Sequence, residues 1–398
     1  MRPVFTSRWE TDAYKISMGQ VFWQKFNGVW VRYEFEDREN LPYIKGLAEE
    51  IRSQLERFVD LPAGIDRAEY IKRIWPWMNW KYLLWYANHK FDLSQVNIEV
   101  WHNKLKIDVE GPVEEATFWE IIILRAYSCS YTLLSGKVPD PKWLEDLEAR
   151  AKFYYDNMIA DVEGGGRRPF SADVHWQADA ILYKYRKTEG HGGSLGTSWM
   201  ENAYQFGTMQ FGTQAHEYTS FTGGYYGHAN ANKMAMQIWL ETYGKKLGYV
   251  LPDTYTTKHF LKDFVYGYAD IFTGPRNDSM EPYKFTELFV NEKTGHYPLL
   301  GISPSEKAIV YSNGPYKNEG VLALNNYREG QYARSFLHGW LWTNNVGHKP
   351  YNCVMKIKAV RRPSGLWVPT VKIPDNRGKT SGDPKEVEKT IHELNLSW

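Results

Sequence analysis

The chain has 398 residues, 43% of them hydrophobic, and its 48 Lys and Arg nearly balance 47 Asp and Glu for a net charge of +1. That length and apolar content suit a soluble globular protein with a substantial core, either two or three domains or one large barrel with an appendage. The balanced charge leaves no global basic field to recruit nucleic acid or an anionic membrane, so a phosphate-bearing ligand must be caught locally. Cys129 and Cys353 cannot make a disulfide framework and lack metal-binding spacing, which fits a reducing cytoplasm. "MRPVFTSRWETDAYK" at the N-terminus has no apolar leader core, and no run of about 18 apolar residues occurs, so neither secretion nor membrane spanning is expected.

In chain order, "GVWVRYEFED" (28–37) and "VNIEVWHNKLKIDVEG" (96–111) alternate like half-buried strands, with helical material between them. "GPVEEATFWEIIILRAYSCSYTLL" (111–134) carries apolar residues at helical spacing. Further on, "GYVLPD" (248–253) and "KAIVYSNG" (307–314) read as short buried strands ending on polar or glycine residues, and "TKHFLKDFVYGYADIF" (257–272) as a helix. Buried strands with functional groups at their carboxyl ends, each followed by a helix, are how α/β barrels build sites. "NCVMKIKAV" (352–360) and "LWVPTVKI" (366–373) are further strands, and residues 374–398 read as a charged loop and a terminal amphipathic helix. The economical arrangement is an α/β barrel over residues 116–345 with a smaller mixed α/β domain built from residues 1–115 and 346–398. The 28 Tyr and 17 Trp are spread along the whole length and are assigned to packing.

Glycine and polar residues cluster in "DVEGGGRRPFS" (161–171), "GGSLGTSWMENA" (192–203), "FGTMQFGTQAHEY" (206–218), "LPDTYTT" (251–257), "GPRNDSMEP" (274–282) and "YSNG" (311–314). Singly each reads as a turn; jointly they suit a ligand with phosphates and a sugar. Gly-Thr steps bring backbone N–H groups and a hydroxyl close to an oxyanion, paired arginines fork onto diphosphate, and aspartates at strand ends hold Mg²⁺ or ribose hydroxyls. None of the clusters is a P-loop or a dinucleotide fingerprint. His216, followed by Glu217, stands open between a structural histidine and a nucleophile oriented by its neighbours.

"TDAYK" (11–15), Gly111-Pro112 with the acidic residues after it, "RRPFS" (167–171), "GTS" (196–198), "GTQAHE" (212–217), "FLKDF" (260–264), "RNDSMEP" (276–282) and "GKT" (378–380) follow one another in an order and spacing that resembles the nicotinate phosphoribosyltransferase family over essentially the whole chain. The resemblance implies an irregular type II phosphoribosyltransferase α/β barrel with a smaller domain from both chain ends. It implies transfer of phosphoribosyl from phosphoribosyl pyrophosphate to nicotinate, with Mg²⁺ and with ATP phosphorylating the histidine at position 216. On this resemblance His216, Glu217 and Asp278 are the catalytic set, Glu217 orienting the ring or stabilising its cationic form. Arg167 and Arg276 contact diphosphate or substrate carboxylate, Asp253 and Asp278 serve ribose or Mg²⁺, Tyr14 stacks on the pyridine and Ser198 bonds its carboxylate. Thr213 and Asn313 complete the substrate set, Gly339 and Lys379 contact phosphate, and Glu281 joins Asp278 on the metal. The family also implies a cytoplasmic homodimer with shared active sites, since Tyr14 lies near a terminus and is not expected to reach its own barrel mouth.

The chain departs from the family pattern at several of these places. Where the family carries Asp-Phe-Gly before the arginines this chain has Glu163-Gly164-Gly165, so the ring that would wall the base pocket is replaced by Gly164. "LHGW" (337–340) stands where the family has a Gly-rich phosphate loop, Asn277, Met280 and Glu281 alter the segment after Arg276, and Asn313 replaces an aspartate. Two further readings therefore stand beside the first: a phosphoribosyltransferase for a larger heteroaromatic base, and an inactive relative that acts as a binding protein.

Overall fold

The computed structural model describes residues 2–397, and the chain folds into two compact units. The first comprises Met1–Gly212 with His338–Lys356, and the second Thr213–Leu337 with Ile357–Trp398.

In the first unit an antiparallel sheet is built from β1 (Trp30–Asp37), β2 (Val96–Trp101) and β3 (Lys104–Pro112), with β3 in the middle beside both. Its alternation is the expected one: Val31, Tyr33 and Phe35 of β1, Val96 and Ile98 of β2, and Ile107 and Val109 of β3 are buried. Cross-strand pairing sets Val96 opposite Val109 and Ile98 opposite Ile107. His102 and Asn103, both at positive φ, make the two-residue turn between β2 and β3. Helix Val113–Ser135 begins at Pro112 and ends at Gly136, whose left-handed φ of 66° closes it. It is buried on nearly every side, and its Phe118 and Trp119 stack into a cluster with Phe58, Tyr86 and Phe91. Much of the aromatic excess of the sequence is spent there, on area burial and ring-edge packing.

The same unit holds the parallel strands β4 (Ala160–Glu163), β5 (Gly193–Thr197) and β6 (Met209–Gln210), with Glu163 level with Thr197 and Thr197 with Gln210. Parallel register places the loops after β4 and β5 on one edge, so Gly164–Arg167 and Ser198 emerge together.

The second unit carries the parallel strands β7 (Tyr249–Val250), β8 (Gly274–Asn277), β9 (Ala308–Tyr311) and β10 (Ala333–His338), whose last residue belongs to the first unit. β7 pairs with β8, β8 with β9 and β9 with β10. The strand expected over 248–253 is shorter than the pattern suggested, because Pro252–Thr254 turns into a 3₁₀ element. The helix expected over 257–272 is broken into Thr257–Asp263 and Tyr266–Ala269. At the break the carbonyl of Phe264 accepts from His296 Nε2 at 2.7 Å. β11 (Cys353–Arg361) runs from one unit into the other and pairs with β12 (Trp367–Pro369). The tail forms the expected amphipathic helix, Pro384–Leu394, capped by Asp383. Its Val387, Ile391 and Leu394 close a core with Ala231, Tyr255, Val371 and Ile373.

Candidate active site

In the second unit the strand ends deliver a histidine framed by carboxylates. His216 is the first residue of helix His216–Tyr226. Its Nδ1 lies 3.0 Å from Thr254 Oγ1, its Nε2 3.1 Å from Asp278 Oδ2 and 3.6 Å from Asp253 Oδ1. Asp253 and Thr254 come from the turn after β7 and Asp278 directly follows β8. Register sets Arg276 and Asn277 of β8 against Val310 and Tyr311 of β9, and one step on Ser312 Oγ donates to Asp278 Oδ1 at 3.1 Å.

Burial, and after it the nearby Lys372 ammonium, hold the His216 pKa below its ordinary value against the pull of Asp253 and Asp278. Burial would raise Asp278, but the His216 hydrogen bond, Arg276 and Lys372 outweigh it and keep the carboxylate well below its usual range. Asp278 therefore stays ionised and accepts from the imidazole, so the ring is neutral with its proton on Nε2, and Thr254 donates to Nδ1. A neutral ring keeps one lone pair. The carboxylates on its N–H stabilise the positive charge it acquires on attacking an electrophile.

Arg276 completes this cluster: Nη1 donates to Thr213 Oγ1 at 2.5 Å, Nη2 lies 3.5 Å from Asp278 Oδ1, and the buried Nε has no hydrogen-bond partner. Lys379 Nζ donates to the Asp278 carbonyl at 2.8 Å, and Asn313 Nδ2 to the Met280 carbonyl at 3.0 Å, so both brace the segment after β8. Of the expected residues, His216, Asp253, Asp278, Arg276, Thr213, Lys379 and Asn313 are thus brought together. Glu217 is buried in the first turn of the helix, and Thr254, Asp278 and Asp253 stand at the ring nitrogens of His216. Glu281 is exposed and caps helix Pro282–Val290 by accepting from Tyr283 and Lys284 N–H, so the carboxylate beside Asp278 is Asp253. Asp253, Asp278 and His216 offer donor atoms within 4.8 Å of one another, and Asp253 Oδ1 is a buried acceptor with no hydrogen-bond donor. The two carboxylates of that cluster, rather than the protonated Nε2 beside them, fit a hard divalent cation such as Mg²⁺.

The first unit carries the other expected residues. Asp12 caps helix Ala13–Lys25, and the segment bridges to Trp199, with Ala13 N–H donating to the Ser198 carbonyl at 2.7 Å. Ser198 Oγ donates to Asp12 Oδ2 at 2.9 Å, Arg167 Nη1 reaches Tyr14 Oη at 3.4 Å, and Tyr14 Oη lies 3.3 Å from Glu120. Tyr14 thus meets Arg167 within its own chain, and Ser198 meets the neighbouring Asp12 and Ala13. Gly339 lies against the turn after β4: a Cβ on Gly165 would come within 3.0 Å of the Gly339 carbonyl. Gly164 N–H donates to the His338 carbonyl at 3.0 Å.

Sequence reasoning missed a buried network behind that turn. Glu163 accepts from the Gly165 N–H and, at 2.7 Å, from the Thr197 hydroxyl, and its Oε2 lies 3.3 Å from His175 Nε2. Asp179 Oδ2 is 3.4 Å from the same nitrogen. The signal available was His175 and Asp179 four apart on one helix. Lys372, Thr254 and Asp12 were missed as well, although Asp12 stands inside "TDAYK".

Burial pushes the Asp12 carboxyl up to about 7 against the opposing pull of Arg167 and Ser198. A folded-state pKa above the unfolded one means folding takes up a proton between pH 4 and 7, so this contribution is full in acid and is lost as pH rises through 7. Asp12→Asn, which carries no such charge, is expected to melt with wild type below pH 4, to draw ahead of it between pH 4 and 7, and to melt above it at pH 8.5. Parallel melting curves across that range would remove the assignment.

Parallel strands with a phosphate-suited turn after β4 and a framed histidine beside arginine define a phosphoribosyltransferase-type α/β protein. Residues 9–128 match the nicotinate phosphoribosyltransferase N-terminal domain model and residues 161–397 the nicotinate phosphoribosyltransferase family model. The chain belongs to the nicotinate phosphoribosyltransferase family. It is similar to the nicotinate phosphoribosyltransferases of Chromohalobacter salexigens, 29% identical over 98% of each chain, and Desulforapulum autotrophicum, 30% identical over 97% of each. It is also similar to the crystal structure of nicotinate phosphoribosyltransferase from Porphyromonas gingivalis, with a TM-score of 0.93 at 29% identity, covering 98% of this chain and all of that one. The fold class is the expected one, an irregular α/β barrel with a smaller antiparallel sheet.

Proposed function

We propose that this chain is an enzyme joining nicotinate to phosphoribosyl pyrophosphate, giving nicotinate mononucleotide and pyrophosphate, with ATP coupling through phosphorylation of His216. One observation carries the coupling: a half-buried, neutral imidazole opening a helix, with its N–H on Asp278 and the Asp253 carboxylate 3.6 Å away. A phosphoryl group on the first residue of a helix gains from the helix dipole, and the aspartates balance the charge the ring acquires. Arg276 lies beside them and Arg167 in the first unit, and both suit diphosphate or a carboxylate. Asp253 and Asp278 would hold Mg²⁺, which when bound neutralises charge on the departing pyrophosphate. These residues bind and orient; the glycosyl step needs positioning and charge stabilisation more than a protein nucleophile.

No helix among the described residues is long and apolar enough to cross a membrane. The two free, buried cysteines agree with a cytoplasmic setting. Homodimer assembly with shared sites is part of the proposal, and sedimentation tests it: a monomer at assay concentration removes it.

The test of function is a product screen. Phosphoribosyl pyrophosphate is supplied with a panel of heteroaromatic bases, with and without ATP and Mg²⁺, and products are read by mass spectrometry. Nicotinate mononucleotide as the main product, increased by ATP, is expected. A larger base used in preference would select the reading in which glycine at 164 admits a bulkier base, and no product with any base would leave a binding protein.

A further inference from the structure

The turn Gly164–Arg167 is gripped from beneath by residues that no substrate-facing role requires. Arg125 is 2% exposed and His175 is wholly buried. Arg125 Nη1 donates to the Gly166 carbonyl at 2.9 Å and faces His175 Nδ1 at 3.0 Å. A guanidinium can only donate, so Nδ1 accepts, and the ring proton sits on Nε2 between Glu163 and Asp179. Burial and the neighbouring Glu163 raise the Asp179 carboxyl. Burial would also raise Glu163, but His175, Thr197 and the Gly165 N–H outweigh it, so Glu163 stays ionised.

The turn is thereby held at both of its polar ends, the Gly165 N–H by Glu163 and the Gly166 carbonyl by Arg125, and His175 ties the two holders together. It is also seated directly on the ring: a Cβ on Gly166 would lie 2.6 Å from His175 Cε1 and 2.5 Å from Trp199 Cε3. Glycine at 165 and 166 is therefore a packing requirement of this clasp. Trp199 in turn lies under the Arg125 guanidinium at 4.6 Å, and Glu10 pairs with Arg125 at 3.4 Å.

We infer that His175 is a positioning residue for Arg167: by joining Glu163 to Arg125 it fixes the turn from which Arg167 projects, and so sets the affinity of the anionic group that Arg167 grips. The inference rests on the proposed substrate role of Arg167.

The experiment compares wild type, Arg167→Lys, His175→Leu, His175→Gln and the His175→Leu/Arg167→Lys double variant. Binding of inorganic pyrophosphate and of nicotinate is measured by calorimetry, alongside kcat and KM for both substrates. Arg167→Lys identifies which ligand the guanidinium holds. His175→Leu is expected to weaken the same ligand about tenfold, the effect of one lost hydrogen bond to a charged group, with kcat little changed. Because both act through one side chain, the double variant should be hardly weaker than Arg167→Lys alone. His175→Gln, which can donate to Glu163 and accept from Arg125, should restore binding. Full additivity, weakening of the other ligand, or a loss confined to kcat overturns the inference. If His175→Leu does not fold, Thr197→Val loosens Glu163 from its other side and must give the same ligand-selective loss. Calorimetry keeps this separate from the function itself: a wild type that binds pyrophosphate but makes no product refutes the activity, not the clasp.

Discussion

His216→Asn is expected to take up no phosphate from radiolabelled ATP in the presence of Mg²⁺, and to lose the increase in turnover that ATP gives the wild type. Asparagine approximates the imidazole in size but offers no comparable nucleophile, so the loss is of the coupling step and not of the fold. The bond in the wild type should be labile to acid and stable to alkali, as phosphoramidates are. Thr254→Val, which removes the hydroxyl from Nδ1 at 3.0 Å, should slow labelling about tenfold, one buried hydrogen bond of roughly 1–1.5 kcal/mol. Undiminished labelling of His216→Asn would place the phosphosite on another residue. A Thr254→Val variant as fast as wild type would show that the ring needs only its carboxylates.

The second large effect is expected at Arg276. Its guanidinium is bound to Thr213 and set beside Asp278, and its buried Nε lacks a partner, so it is held in place with a donor to spare. Arg276→Gln should lower kcat/KM for phosphoribosyl pyrophosphate by about 10²–10³-fold, the cost of removing one preorganised donor for developing charge. Arg276→Lys keeps the charge but not the fork, and should recover only part of this. If the KM for nicotinate rises while that for phosphoribosyl pyrophosphate does not, Arg276 grips the base carboxylate instead. A variant with both constants unchanged would take Arg276 out of the site.

The legible part of this protein was the part written locally. Alternation in residues 28–37 and 96–111, and helical spacing in 111–134, show directly as β1, β2, β3 and helix Val113–Ser135, because burial on one face or all round imprints a period on the sequence. The expected helix over 257–272 failed for a non-local reason: His296, some thirty residues on, takes the Phe264 carbonyl at the break. Among the expected site residues, His216, Asp253, Asp278 and Arg276 each sit in a short polar cluster visible in the sequence, their roles came from the family resemblance, and the structure brings them together. Adjacency in sequence says little about which way a side chain leaves a helix: Glu217 is buried, and Glu281 turns back onto its own helix N-terminus.

By itself, then, the sequence determined the inventory: an α/β chain, a histidine that could be structural or nucleophilic, two arginines suited to phosphates, two aspartates suited to Mg²⁺ or ribose, and three consecutive glycines ahead of Arg167. Composition and short motifs suffice for that, since residue chemistry and period are local properties. Only the tertiary structure decided which groups meet. It set Thr254 and Lys372 on His216 and Asp278, kept Tyr14 on Arg167 of its own chain, and hid Glu163, His175 and Arg125 behind the glycine turn. Those pairings join residues between 12 and 153 positions apart. No local period encodes such contacts. They exist because parallel strands bring their carboxyl ends to one edge, and because a buried polar group must find its partner wherever the packed chain has left one.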